Sequence, residues 1–189
     1  AVIMMVIAAL LTSLCIAREW ERGTMEQLIA TPVKTPELIL GKLAPSFLLG
    51  FIDMALSIAL ATQLFGVPFK GSLLLLAAIS AVFLFGGLSF GIIISIITKS
   101  QLVSSQISVV ATYLPAFLLS GFMFSISNME RPLQVLTRVV PARYFVAILK
   151  GLFLKGSTVR FLIHDAVFLL VFAVVTFTIA NRKFEKRMK

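Results

Sequence analysis

Five apolar stretches, each long enough to cross a lipid bilayer, restrict this chain to one broad class of fold. A spanning helix needs about 20 mostly apolar residues, within a usable range of roughly 17–25. Residues 1–17 carry no charge, and 46–65 carries only Asp53. Residues 72–98 and 102–126 are uncharged, and 161–180 has His164 and Asp165 near its start. Hydrocarbon offers the backbone no water to bond, so such segments cross as helices. The expected fold is therefore an all-α integral membrane protein, a polytopic helical bundle forming a single transmembrane domain over 1–189. A soluble fold is excluded on composition. The chain is 59% hydrophobic and 13% charged, against about 45–50% and about 25% in soluble domains.

The net charge of +9 belongs to this setting. Lys and Arg cluster beside the spans and in the tail 181–189, where they meet anionic lipid headgroups and set topology. No basic run with interleaved aromatics stands apart from the spans, so no nucleic-acid partner is expected. The dense basic tail places the C-terminus in the cytoplasm, and counting back puts 18–45 and the Lys99 turn on the same side. The stretch 127–160 is then outside, despite Arg131, Arg138, Arg143 and Lys150. Within it, Arg131 and Arg138, and then Arg143 and Lys150, lie seven residues apart. Each pair shares a helical face. Pro132–Val140 and Ala142–Leu154 read as interfacial or re-entrant helices broken at Pro141, with Tyr144 and Phe145 at the headgroup boundary. The four basic residues form an outer basic lip, a lipid anchor or the rim of an exit path. The chain opens inside an apolar run without Met or a basic leader, as expected of a fragment lacking its upstream half.

The segment at 18–32, Arg-Glu-Trp-Glu-Arg-Gly-Thr-Met-Glu-Gln-Leu-Ile-Ala-Thr-Pro, is dense in both charge signs. Thr24 and Gln27 have capping-box spacing, after a Gly23 free to turn. The helix they start must stop near Thr31, because Pro32 drives its predecessor out of the helical region. Thr35-Pro36-Glu37 supplies a second start: a hydroxyl cap, a proline in the first helical place and an acid in the first turn. Pro45 is expected to bend this second helix where it enters lipid. Met25, Leu28 and Ile29 form an apolar knob among Arg18, Glu19, Glu21, Arg22 and Glu26. The balance of Glu against Arg suits docking to a cytosolic protein better than lying on a membrane surface.

Elsewhere the candidates are sparse. Asp53 is costly within a span and is expected to face the bundle interior, paired or protonated, in a structural role or on a translocation or proton path. Gly87, Gly91 and Ser95 make a small-residue ridge that lets two helix backbones approach, within the bundle rather than across a dimer seam. Pro115 is expected to kink the fourth span. Cys15, the lone cysteine, reads as a small buried hydrophobe, and His164 and Asp165 as interfacial groups.

The segment 18–32, with Leu40-Gly41-Lys42 after it, resembles the cytoplasmic signature of the type-2 ABC transporter permease family. Leu119-Ser-Gly-Phe-Met-Phe124 and the stretch from Pro141 to Gly156 resemble that family's later landmarks, in the same order. Many relatives have a proline near Ser125, which this chain lacks. The resemblance implies six spans per subunit with a large outer domain between the first two, this chain holding part of the second span through the sixth. It implies a dimer with a second permease subunit, identical or not, and two cytosolic ABC ATPase subunits that bind ATP and Mg. Residues Gly23–Thr31 would be the coupling helix seated in the ATPase, in a bacterial inner (plasma) membrane exporter. No Gly-x-x-x-x-Gly-Lys-Ser/Thr phosphate loop occurs in the sequence, so no cofactor and no ATP hydrolysis are expected of this chain itself. The rival readings are an ion-coupled secondary transporter using Asp53 and His164, and a membrane scaffold whose charged loop recruits a soluble protein.

Overall fold

The computed structural model describes residues 2–25, 35–67, 71–121, 123–124, 126, 129–155 and 159–188, with side chains except at 35, 154–155, 159–161 and 185–188. Among the described residues seven α-helices occur in order: α1 (Val2–Glu21), α2 (Thr35–Ala59), α3 (Leu73–Thr98), α4 (Gln101–Leu118), α5 (Arg131–Thr137), α6 (Pro141–Lys150) and α7 (Val159–Met188). A π-helical turn at Leu60–Leu64 extends α2, and another at Gly151–Lys155 extends α6. Helices α1, α2, α3, α4 and α7 are long and apolar enough to cross a membrane. The protein is a multi-pass helical bundle.

The element starts follow the local chemistry. Helix α2 opens with Pro36 in its first turn and Glu37 beside it, where a missing N–H costs nothing and an acid faces the positive end. The feeder expected before the second span and the span itself are one helix, with Pro45 inside it. Helix α6 likewise opens on Pro141, which separates it from α5 as the sequence predicts.

Three expectations are corrected. The fourth span ends at Leu118 rather than Ile126, because Leu119 closes the helix onto the Pro115 carbonyl at 2.9 Å and Gly121 turns the chain with φ +76°. The basic tail is not a separate segment: α7 runs through it to Met188, no Gly or Pro intervening, and Phe184 is buried. At about 1.5 Å per residue, its 30 residues reach well beyond the ~30 Å hydrocarbon layer. Tyr144 and Phe145 do not turn outward as anchoring rings would. Both are buried in the core, where Phe145 stacks on Phe83 of α3 at 4.2 Å and Tyr144 on Phe168 of α7 at 3.9 Å.

Helix α3 is the axle of the bundle. It is apolar around its circumference and packs against α1, α2, α4, α6 and α7. Small residues permit this. A methyl group on Gly91 would stand 2.5 Å from the Ala9 carbonyl oxygen of α1, and one on Gly87 would meet Ala8 at 3.4 Å. On another side, Gly86 accepts the Phe172 ring of α7. The ridge Gly87, Gly91 and Ser95 is thus an internal packing surface, all three residues being buried, as the sequence predicts.

Candidate functional site

The charged end of α1 is where the bundle gathers its polar contacts. After Glu21 the helix breaks: Arg22 N–H still bonds the Arg18 carbonyl at 3.1 Å, while Gly23 turns the chain with φ +69°. Thr24 and Met25 resume helical conformation. The Thr24 hydroxyl donates to the Glu19 carbonyl at 3.4 Å. Its expected partner Gln27 lies outside the described residues, as do Glu26, Leu28, Ile29, Thr31 and Pro32.

The charges on the last turn of α1 reach other helices. Glu19 forms an ion pair with Lys42 of α2, both side chains mostly sheltered. Removing one partner of such a pair costs more than the roughly 0–1 kcal/mol typical of a surface pair, because the charge left behind is sheltered from water. Glu21 lies past the apolar run that ends at Ala17, and its carboxylate receives three donors from the turn between α3 and α4. Gln101 N–H donates at 2.8 Å and the Ser100 hydroxyl at 3.0 Å, and the Gln101 side-chain amide bonds the second oxygen. These donors, the Gln101 backbone first, hold the Glu21 carboxyl below the ordinary carboxylate range. Glu21 therefore caps the N-terminus of α4 from a different helix, supplying an acceptor that the Ser100 side chain does not provide. Arg18 completes the arrangement by donating to Gln101 Oε1 at 3.3 Å. Lys99, in the left-handed region at φ 54°, sets its ammonium 5.0 Å from the centre of the Trp20 ring.

Arg18, Glu19 and Glu21 thus bond within their own subunit, although Arg18 and Glu21, like Arg22 and Gly23, remain exposed. Met25 corrects the sequence reading. It is 1% exposed and belongs to the core, so its side chain contributes nothing to an outward knob. The sequence reading also missed Lys42, Lys99, Ser100, Gln101 and Trp20 as partners of this segment. A run of polar residues at a short turn, Lys99-Ser100-Gln101, was the available signal.

The other candidates are dispersed. Asp53 is half-buried on the flank of the face of α2 that carries Gly50 and Met54, and among the described residues it has no hydrogen-bond or ion-pair partner. His164 is largely exposed, with its Nδ1 3.4 Å from the carboxylate of its neighbour Asp165. The outer basic set divides. Arg131 and Arg138 are exposed. Arg143 bonds the Thr137 hydroxyl and lies 5.8 Å from the Tyr144 ring centre, and Lys150 donates to the Gly121 carbonyl at 2.9 Å. Arg143 thus ties α6 to α5, and Lys150 ties the end of α6 to the chain after α4. Cys15 is exposed rather than buried, because α1 packs through Ala8, Thr12, Ser13 and Ile16.

A second feature escaped the sequence reading. Ser104, Ser108, Thr112 and Ala116 recur every fourth residue along α4 and are all fully buried. Against them, Ser13 of α1 accepts the Ser108 hydroxyl at 2.8 Å, and its carbonyl accepts Ser104 at 3.5 Å. This hydroxyl seam continues into the bundle the join begun by Glu21.

The family described as ABC-2 family transporter protein matches residues 1–181. The chain is 43% identical over 187 residues to the probable multidrug ABC transporter permease YbhS of Escherichia coli (strain K12), covering 99% of this chain and 50% of that protein. It is 30% identical over 179 residues to the probable multidrug ABC transporter permease YbhR of the same organism, covering 95% of this chain and 48% of that protein. The chain spans about half the length of the curated relatives it matches. No solved structure matches it.

Proposed function

This chain belongs to the ABC-2 transporter family, and from that premise we propose that it is the membrane-spanning permease part of an ATP-driven exporter. A separate cytosolic ATPase chain, holding ATP and Mg, docks on the segment that follows Glu21, and its closure displaces the spans. The protein works as a dimer with a second permease subunit in a bacterial inner membrane, C-terminus in the cytoplasm. Its cargo is of the amphipathic, drug-like class, in keeping with the multidrug label carried by the relatives.

One observation carries this reading. The last turn of α1 is fastened to α2 through Lys42 and to the α3–α4 turn through Lys99, Ser100 and Gln101. A push on the chain beyond Gly23 is therefore delivered to the bases of several spans together. Rigid-body displacement of packed helices is an established way to move a small input over a large distance. A solvated loop has no use for such fastening.

A photo-crosslinker placed at Thr24 or Glu26 in the full-length protein, in cells, tests the docking. The expected product joins the permease to a protein carrying a phosphate loop. Labelling of lipid alone at both positions rejects the proposal. Gly23→Pro, which cannot adopt the observed positive φ, is expected to abolish ATPase co-purification while the permease still assembles.

A further inference from the structure

The α3–α4 turn lies far from 18–32 in sequence, yet it bonds the end of α1 at several points. Three donors from Ser100 and Gln101 converge on one carboxylate, Arg18 returns a bond to the same glutamine, and the Lys99 ammonium sits over Trp20. The turn itself is two residues, Lys99 left-handed and Ser100 extended, so α3 and α4 have no slack at that end. Farther along, the join continues through buried groups: the Ser108 hydroxyl on Ser13 and the Gly91 backbone against the Ala9 carbonyl. Sliding α1 along α4 would strand these hydroxyls where no water can replace their partners. The attachment of α2 is different in kind. At this end, among the described residues, it joins α1 through the Glu19–Lys42 ion pair and buries Ile39 and Leu43, while Leu48, Leu49, Ile52 and Leu56 face away from the subunit.

We infer that Glu21 with Ser100 and Gln101 is a permanent clasp, which makes α1, α3 and α4 one moving body throughout the transport cycle. Glu21 is a positioning residue in this scheme. It carries displacement from the docking segment into α4, a helix that the segment does not adjoin in sequence. The inference rests on the coupling proposal for the end of α1 and names the helices that receive the motion.

The test locks the clasp. In the full-length protein with Cys15→Ser, Glu21→Cys and Gln101→Cys are joined by a short thiol crosslinker that a reducing agent releases. ATP hydrolysis is measured in the purified permease–ATPase complex before locking, after locking and after release. A body that never separates here hydrolyses ATP equally well when locked. A fall of about tenfold on locking that release restores, a change typical of coupling between sites, overturns the inference, because the clasp must then open in each cycle. A second measurement avoids both substituted clasp residues. Spin labels on the native Cys15 of α1 and on Val103→Cys of α4, both exposed positions, should keep one separation in nucleotide-free and vanadate-trapped complexes. A nucleotide-dependent change in that separation equally overturns it. Failure of the coupling proposal looks different: no ATPase is captured from Thr24 or Glu26, whereas failure of the clasp leaves capture intact and shows only on locking or labelling.

Discussion

Gly91 and Gly87 lie one helical turn apart on α3 and face the same helix, yet a methyl group would meet very different things. At Gly91 it strikes backbone, 2.5 Å from the Ala9 carbonyl oxygen; at Gly87 it reaches only the Ala8 methyl at an ordinary 3.4 Å. Gly91→Ala must therefore push α1 away, at an expected cost of about 1–3 kcal/mol, and Gly87→Ala should be nearly silent. Thermal unfolding of the two variants in detergent, followed by size-exclusion chromatography, separates them. Glu21 supplies a second residue-scale prediction. Its carboxyl is held below its ordinary value in the folded protein, so the clasp's contribution is complete above that ordinary value. It is lost as the pH falls through the lowered one. Glu21→Gln should remove this acid-side loss, seen as a flatter stability profile on acidification than that of the parent. A profile unchanged by the substitution means that Glu21 is not the group responsible. The sequence makes Glu21 conspicuous, but its partners are some eighty residues away, and no local pattern points to them.

At the scale of elements, α6 shows where hydropathy stops being informative. Its period marks one apolar face, and that face was read as turned to lipid, whereas Phe145 and Ile148 pack inside the protein. Lipid and protein interior are equally oily, so the period alone does not distinguish them. Phe145→Ala should cost about 3–5 kcal/mol, as for a core aromatic, and not the near-zero of a ring at the bilayer surface. Proteolysis of the outer helices in sealed vesicles, compared with the parent protein, measures it. Small residues discriminate better than apolar ones. The Gly87–Gly91–Ser95 ridge was legible in advance because lipid gives no reason for a small residue to recur on one face. The fourfold spacing of Ser104, Ser108 and Thr112 carries the same message, and it identifies the side of α4 that meets α1. The five spans were legible from length and charge; their ends were not, since the helix of α7 continues past its apolar run and α4 stops short of its own.

For the whole molecule, the distribution of basic residues supports the proposed orientation, which can be checked directly. With Cys15 replaced by Ser, a cysteine at Lys183 should react with an impermeant thiol reagent only from the cytoplasmic side. One at Arg131, exposed on α5, should react only from outside. The reverse pattern inverts the topology and removes the docking segment from the ATPase. The placement of α3 has a further consequence, for biosynthesis. It is the most apolar of the five candidate spans, and α4, α6 and α7 emerge from the ribosome after it. Until the last of them arrives, the notch at Gly86 that will hold Phe172 is open to acyl chains. The subunit must therefore be built around a post already standing in the membrane, and a chain cut before α7 would leave that post half dressed.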